Sequence, residues 1–172
     1  MKDGKKHIFL FKFVSYSVKF WHKGEDNNIS FTSHGAGKMN YGILSEKQLK
    51  GIDNVLKVKL IDAGVKNAIL IDMAGNTVSK QNDGNFNIDT VAFAALAAGN
   101  FAAVDAMAQM VGESEFSLLF HKGETASIHF SKVNENLLLI TMFHKDISLG
   151  LIRLKVTETN NAINKICRNE NI

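Results

Sequence analysis

Three histidines in the C-terminal half of the chain are the residues best placed to bind a metal ion. His121, His129 and His144 lie on or beside successive predicted strands, where their rings could converge. Their spacing differs from that of recognised zinc motifs, and histidines near strand ends are usually solvated or hydrogen-bonded. We therefore predict no metal site and no cofactor.

Nucleophilic and phosphate-binding chemistry find little support. Cys167, the only cysteine, falls at a predicted helix end with no histidine near it in sequence, whereas a catalytic nucleophile needs a base and an orienting acid. Residues 35–38, Gly-Ala-Gly-Lys, lack the glycine spacing and the preceding strand of a P-loop. We expect no catalytic residues and a protein that is not an enzyme. A single cysteine also excludes an intrachain disulfide and is compatible with a cytoplasmic location.

Two capped helices are predicted near the ends of the region that follows residue 40. Ser45 and Gln48 fit a capping box, apolar residues follow at helical spacing, and Gly64 stands where this first helix should stop. Helical spacing resumes at Leu149, with Ser148 as the cap of a last helix.

Strand patterns lie between these two helices. Residues 67–72 form a short apolar run that predicts a buried strand, and residues 73–76 carry the turn chemistry of a hairpin. Asp72 is expected to cap this turn rather than to act as a catalytic acid. Further strands are predicted at residues 116–120, 125–132 and 137–143. The order α-β-β-α-β-β-β-α indicates an α+β domain in which helices cover one sheet.

The helix between the two groups of strands is rich in alanine. Asp89 can cap it and Gly112 can end it, and nine of the 20 residues from Val91 to Met110 are alanine. One side of a helical projection carries bulky apolar residues, which we expect to pack on the sheet. These are Phe93, Leu96, Val104, Met107 and Val111.

The opposite side of this helix carries small residues and is the predicted dimer interface. Small side chains let a second helix approach closely, and a symmetric copy is the simplest partner. The predicted interface residues are Val91, Ala95, Ala98, Ala102, Asp105 and Gln109, with Gly99 among them. Like-charged Asp105 side chains would repel across a two-fold axis, so we expect them to lie away from it.

The composition changes near residue 40. Residues 1–38 hold seven lysines and three acidic residues, a balance of +4, whereas residues 39–172 hold 13 basic and 14 acidic residues, a balance of −1. The near-neutral body gives no reason to expect nucleic-acid binding. We predict an aromatic, basic N-terminal extension over residues 1–38 and a domain over residues 39–172. An alternative interpretation is that residues 1–38 result from a start-codon misassignment and that Met39 is the natural start.

The apolar stretch of the extension, residues 8–21, leaves two alternatives open. It is too short and too charged to cross a bilayer, which needs about 20 apolar residues. Its aromatics and lysines suit a membrane surface, and equally a strand or helix resting on the domain.

Three stretches together resemble the roadblock/dynein light chain family. Residues 69–79 are similar to the first hairpin of the family, residues 91–112 to its alanine-rich central helix, and residues 148–154 to the start of its last helix. The resemblance implies a five-stranded antiparallel sheet with the central helix on one face and the terminal helices on the other. It also implies dimers formed through the central helix and an edge strand.

The resemblance also carries a functional expectation. Bacterial and archaeal members of this family commonly bind Ras-like small GTPases as dimers and alter GTP hydrolysis or nucleotide exchange. We expect a dimer, with itself or a paralogue, that regulates such a GTPase; the alternative is a non-catalytic scaffold. Arg153, early in the last helix, is a candidate partner contact, because an arginine can stabilise phosphoryl-transfer charge in trans. An arginine at this place also commonly pairs with a carboxylate or with the sheet edge.

Overall fold

A five-stranded antiparallel sheet is the middle layer of the computed structural model, which describes residues 44–85 and 88–169. The strands are β1 (Asn67–Asp72), β2 (Thr77–Asn82), β3 (Leu119–Lys122), β4 (Ala126–Asn134) and β5 (Leu137–His144). The helices are α1 (Glu46–Leu56), continued by a π-helical segment (Lys57–Ile61), α2 (Thr90–Met110) and α3 (Leu149–Cys167). The predicted α+β class and the order of helices and strands are confirmed. The proposed extension, residues 1–38, lies outside the described residues.

The order of strands in the sheet is β2-β1-β5-β4-β3, and every neighbouring pair is antiparallel. The last strand of the chain, β5, therefore lies at the centre, and β2 and β3 form the two edges. Side chains alternate between the faces of a strand, so β1 directs Leu70 to one face and Ile69 and Ile71 to the other. Because both faces are covered, β1 and β5 are mostly apolar.

The two faces of the sheet are covered as the family resemblance implied. α1 and α3 pack on one face, where Ile52, Leu56 and Ile163 form a core with Leu70 and Leu139. α2 packs on the other face and forms a second core with β1, β4 and β5. The central residues of this second core are Ala94, Ala97, Ile69, Ile71, Phe130 and Ile140.

The predicted helix caps are present. The side chain of Ser45 accepts a hydrogen bond from the Gln48 backbone N–H, and the Gln48 side chain accepts one from the Ser45 N–H. Asp89 caps α2 through Val91 N and Ala92 N, and Ser148 caps α3 through Leu151 N. Each of these bonds satisfies a helix N–H that has no partner within the helix. Glycines 64 and 112 follow their helices with φ of +96° and +84°.

The turn between β1 and β2 is organised by Asp72, as predicted. Its carboxylate accepts hydrogen bonds from the backbone N–H groups of Ala74 and Asn76, at 2.9 and 2.8 Å, and from the Asn76 side chain. Gly75 adopts a φ of +89°, which an L side chain rarely does. Asp72 is therefore a structural residue of the hairpin.

The position of β3 differs from the prediction. The apolar run at residues 116–120 predicted the strand, but β3 begins at Leu119 and continues through His121 and Lys122, beyond the end of the predicted strand. Phe116 and Leu118 remain substantially exposed before the strand. The register of β3 is set by its pairing with β4, in which Leu119 lies opposite Phe130, and not by the local run of apolar residues.

The side of α2 that faces the sheet was also predicted wrongly. Leu96, Met107 and Val111, which were expected to pack on the sheet, are 74, 52 and 68% exposed. Ala94, Ala97 and Ala108 are buried in their place. Alanine side chains let the helix axis come close to the sheet, whereas larger side chains at those positions would hold the helix away from it. Phe93 lies at the edge of the contact and is packed against the same core.

Candidate interaction surface

The side of α2 that faces away from the sheet is an exposed apolar surface, which we call the α2 face. Its large members are 52 to 86% exposed, and alanines lie between them. It consists of Val91, Leu96, Met107, Met110 and Val111 with Ala92, Ala95, Ala103 and Ala106. Single exposed apolar residues are ordinary, but a contiguous set on one helix marks an interaction site.

The residues predicted for the dimer interface lie partly on this face. Val91, Ala95 and Gln109 are exposed, and Ala102 is half-buried beside them. Ala98 is also half-buried, but it packs against the core between α2 and the sheet. It therefore lies at the boundary between that core and the α2 face. The remaining predicted interface residue, Asp105, accepts a hydrogen bond from the Gln109 side chain at 3.2 Å.

α2 is long and apolar enough to cross a bilayer by length and composition alone. Its buried side, however, belongs to the core that includes Ala94, Ala97 and Ile140. A helix that packs along a sheet cannot at the same time be surrounded by lipid. We therefore interpret the apolar composition of α2 as two packing sides, one covered by the sheet and one open.

The open side of α2 is joined to the exposed edge of the sheet. The side-chain amide of Asn100 in α2 lies 3.1 Å from Nε2 of His121 in the edge strand β3. The His121 ring also makes an edge-on contact with Phe130, with ring centroids 5.5 Å apart. An edge strand offers unpaired backbone groups to another strand, so the α2 face and β3 form one candidate surface for a second molecule.

The three histidines considered for metal binding have separate surroundings. His121 contacts Asn100, and His144 lies 2.8 Å from the Asp146 carboxylate. His129 is buried between β4 and α3, and its ring Nδ1 has no hydrogen-bond partner. Within the described part of the chain, no three His, Cys, Asp or Glu side chains are grouped so that they could hold a metal ion.

A cavity lies where α2, β4 and the first turns of α3 meet near the start of β3. Arg153 and His129 both line it, together with the aromatic ring of Phe101 and the side chain of Val156. Burial, reinforced by the positive charge of Arg153, lowers the pKa of His129 to about 4, so the imidazole is neutral at physiological pH. The sequence prediction singled out Arg153 but did not pair it with His129, because the two residues meet only through the packing of α3 on the sheet.

The chain belongs to the Roadblock/LC7 family, whose model matches residues 52–143. The match covers α2, the strands β1 to β4, all of β5 except its last residue, and part of α1.

Among solved structures, the chain is similar to MglB of Myxococcus xanthus, with 32% identity over 74% of this chain and 95% of that one, and a TM-score of 0.68. It is also similar to the gliding protein MglB of Thermus thermophilus, with 26% identity over 73 and 95% of the two chains and a TM-score of 0.67. An MglB with a tetrameric arrangement matches with 24% identity, a TM-score of 0.62 and coverage of 75 and 93%. The search of curated proteins returned no match.

Proposed function

We propose that this chain is a cytoplasmic dimeric regulator that binds a Ras-like small GTPase and modulates its nucleotide cycle. The observation that carries the proposal is the α2 face, an open apolar surface on the helix through which roadblock proteins form dimers. The 32% identity to an MglB over most of both chains supports the same class of function.

The dimer is proposed to form by packing of two α2 faces, one from each protomer. Alanines between the larger side chains allow the helix axes to approach closely, and Val91, Leu96 and Met110 then supply the apolar area that is removed from water. The edge strand β3 lies next to this contact and can extend the sheet into the partner. A paralogous roadblock chain with the same helix is the alternative partner.

Regulation is proposed to act on the conformation of the GTPase. A bound dimer can favour one arrangement of the switch loops, and so change hydrolysis or exchange, without supplying a complete active site. This chain is accordingly not proposed to be an enzyme. Arg153 remains a candidate contact with the bound partner, because its side chain is exposed on α3.

The test is single-turnover GTP hydrolysis by a Ras-like GTPase from the same organism, with and without an excess of the full-length chain. Co-elution in size-exclusion chromatography is read on the same samples. Faster hydrolysis together with co-elution is the expected result. The proposal would be contradicted if no Ras-like GTPase of that organism co-eluted with the chain and none changed its hydrolysis rate.

A scaffold without effect on nucleotide turnover is the second candidate. It is favoured by the existence of an MglB with a tetrameric arrangement, because assembly is then a property of related chains. Co-elution with an unchanged hydrolysis and exchange rate would support the scaffold.

A membrane adaptor that uses residues 8–21 requires that deletion of residues 1–38 abolish binding to liposomes.

A further inference from the structure

Arg153 lines the cavity beside α3 together with two acidic residues, Asp105 and Glu115, and is paired with neither of them. Within the part of the chain that the structure describes, the Arg153 side chain makes no hydrogen bond or ion pair, although its guanidinium carries five N–H donors. The other cation that lines the cavity, Lys132, is paired with Glu135 at 3.0 Å and lies 3.9 Å from Glu115. The carboxylate of Asp105, also in the wall, accepts a hydrogen bond from a glutamine of its own helix. The cation of the cavity that is left to bind an anion is therefore Arg153.

His129 also lines the cavity, and one nitrogen of its ring has no hydrogen-bond partner. His129 is only 5% exposed, and Nδ1 of its ring is buried without a hydrogen bond. A buried polar group without a partner is unfavourable by about 1–3 kcal/mol, so native structures usually have a reason for it. Because the imidazole is neutral, it can donate one N–H to an acceptor without adding a charge.

The size of the cavity restricts what can fill it. Its volume is about 180 Å³, which corresponds to about six water molecules and is below the roughly 300–1,000 Å³ of small-molecule sites. Its wall is mostly polar, and Phe101, Phe130 and Val156 supply part of its apolar surface. A single amino-acid side chain with an apolar stem and an oxygen-bearing end fits these dimensions and this chemistry.

We propose that this cavity is a subsite for the carboxylate side chain of an aspartate or glutamate from a bound partner protein, held by Arg153 and His129. The guanidinium receives the carboxylate in a two-bonded pair, and the imidazole donates to it from the inner wall. The carbon stem of the acid lies against the aromatic rings. The subsite names the chemical group that the partner inserts. The identity of the partner rests on the proposed function.

The experiment uses the full-length chain labelled with ¹⁵N and two blocked amino acids as probes, N-acetyl-glutamate N-methylamide and N-acetyl-glutamine N-methylamide. Backbone amide shifts of Ser131 and Thr157, both in the cavity wall, are followed during titration. The glutamate probe is expected to bind with millimolar affinity and about tenfold more tightly than the uncharged glutamine probe. No GTPase is present, so the result is independent of the proposed regulatory role.

Variants assign the binding to Arg153. Arg153→Gln is expected to remove the preference for glutamate, and Arg153→Lys to restore part of it, because lysine keeps the charge but loses the two-bonded geometry. Lys165→Gln, which removes one positive charge from an exposed position farther along α3, should leave the preference intact. Equal binding of the two probes, no saturable shift, or an unchanged preference in folded Arg153→Gln would each overturn the proposal.

Discussion

The side-chain amide of Asn100 lies 3.1 Å from Nε2 of His121 and joins the middle of α2 to the edge strand β3. The two residues are 21 positions apart, and the contact spans the segment between the helix and the strand. The contact links the two parts of the candidate interaction surface, the α2 face and β3.

Loss of this contact should loosen the edge strand. We expect Asn100→Ala to lower the free energy of unfolding by about 0.5–1 kcal/mol, since the bond is exposed to solvent, and to accelerate amide hydrogen exchange in β3. Hydrogen exchange followed by NMR measures this change. Asn161→Ala, at an exposed position of α3, is the control and should leave β3 exchange unchanged.

A charge on the α2 face or directly beside it should weaken dimer formation. We expect Ala95→Glu and Ala102→Glu to weaken self-association by about 3 kcal/mol, or roughly a hundredfold, because each places an unpaired carboxylate in an apolar contact. Sedimentation equilibrium measures the dissociation constant. Asn161→Glu on α3 adds the same charge and should have no effect, and a monomeric wild-type chain would contradict the prediction.

Ala98→Glu is a poor test of the same interface. Ala98 packs partly against the core beneath α2, so a carboxylate there would disturb the fold as well as the dimer. We expect this variant to unfold at a lower temperature than Ala102→Glu. Circular dichroism during heating measures the difference.

The turn at Gly75 should not tolerate a side chain. A Cβ on Gly75 would lie 3.0 Å from Cα of Ala95 and 3.3 Å from the Ala94 carbonyl oxygen, and its φ of +89° is unfavourable for an L residue. We expect Gly75→Ala to lower the free energy of unfolding by about 2–3 kcal/mol, measured in urea. Gly84→Ala, with φ +84° and no described atom within 4 Å of the added Cβ, should show only the backbone part, about 1 kcal/mol.

Stability should fall at acidic pH because of His129. Its pKa is about 4 in the folded protein and 6.5 in the unfolded chain, so between these values the unfolded state binds more protons. The contribution of the neutral His129 to the free energy of unfolding is present above pH 6.5 and is lost as the pH falls towards 4. The loss is at most about 3 kcal/mol. Urea unfolding at several pH values measures the slope. His129→Gln should flatten it between pH 6.5 and 4, and an equal slope in both proteins would contradict the assignment.

Local sequence signals were sufficient for the caps, the turn at Asp72 and the buried strands. These features depend on residues within a few positions of one another, as in the capping box of Ser45 and Gln48. The predictions for the side of α2 that meets the sheet and for the start of β3 were wrong, because both depend on packing with distant residues. Leu96 is exposed because alanines let α2 pack more closely on the sheet. Helical periodicity alone does not indicate whether the large or the small side chains will face the sheet.

The cavity was not predictable from the sequence. Arg153 was identified as a candidate contact from the family resemblance, but its neighbour His129 was considered only for metal binding. The two residues are brought together by the contact of α3 with β4, which follows from the whole topology. The strand that holds His129 gave little signal of its own, because half of its other residues are polar.

The central position of β5 has a consequence for biosynthesis. β1 pairs with β5 through Asn67 and Met142 at one end and Asp72 and Leu137 at the other, so the ribosome must add roughly 65 more residues before β1 acquires its second neighbour. During that interval the growing chain exposes one edge of a strongly apolar strand. Contacts between distant segments form slowly and leave such edges open to aggregation. Translation that stops before residue 137 would therefore release a chain that chaperones must hold or proteases remove.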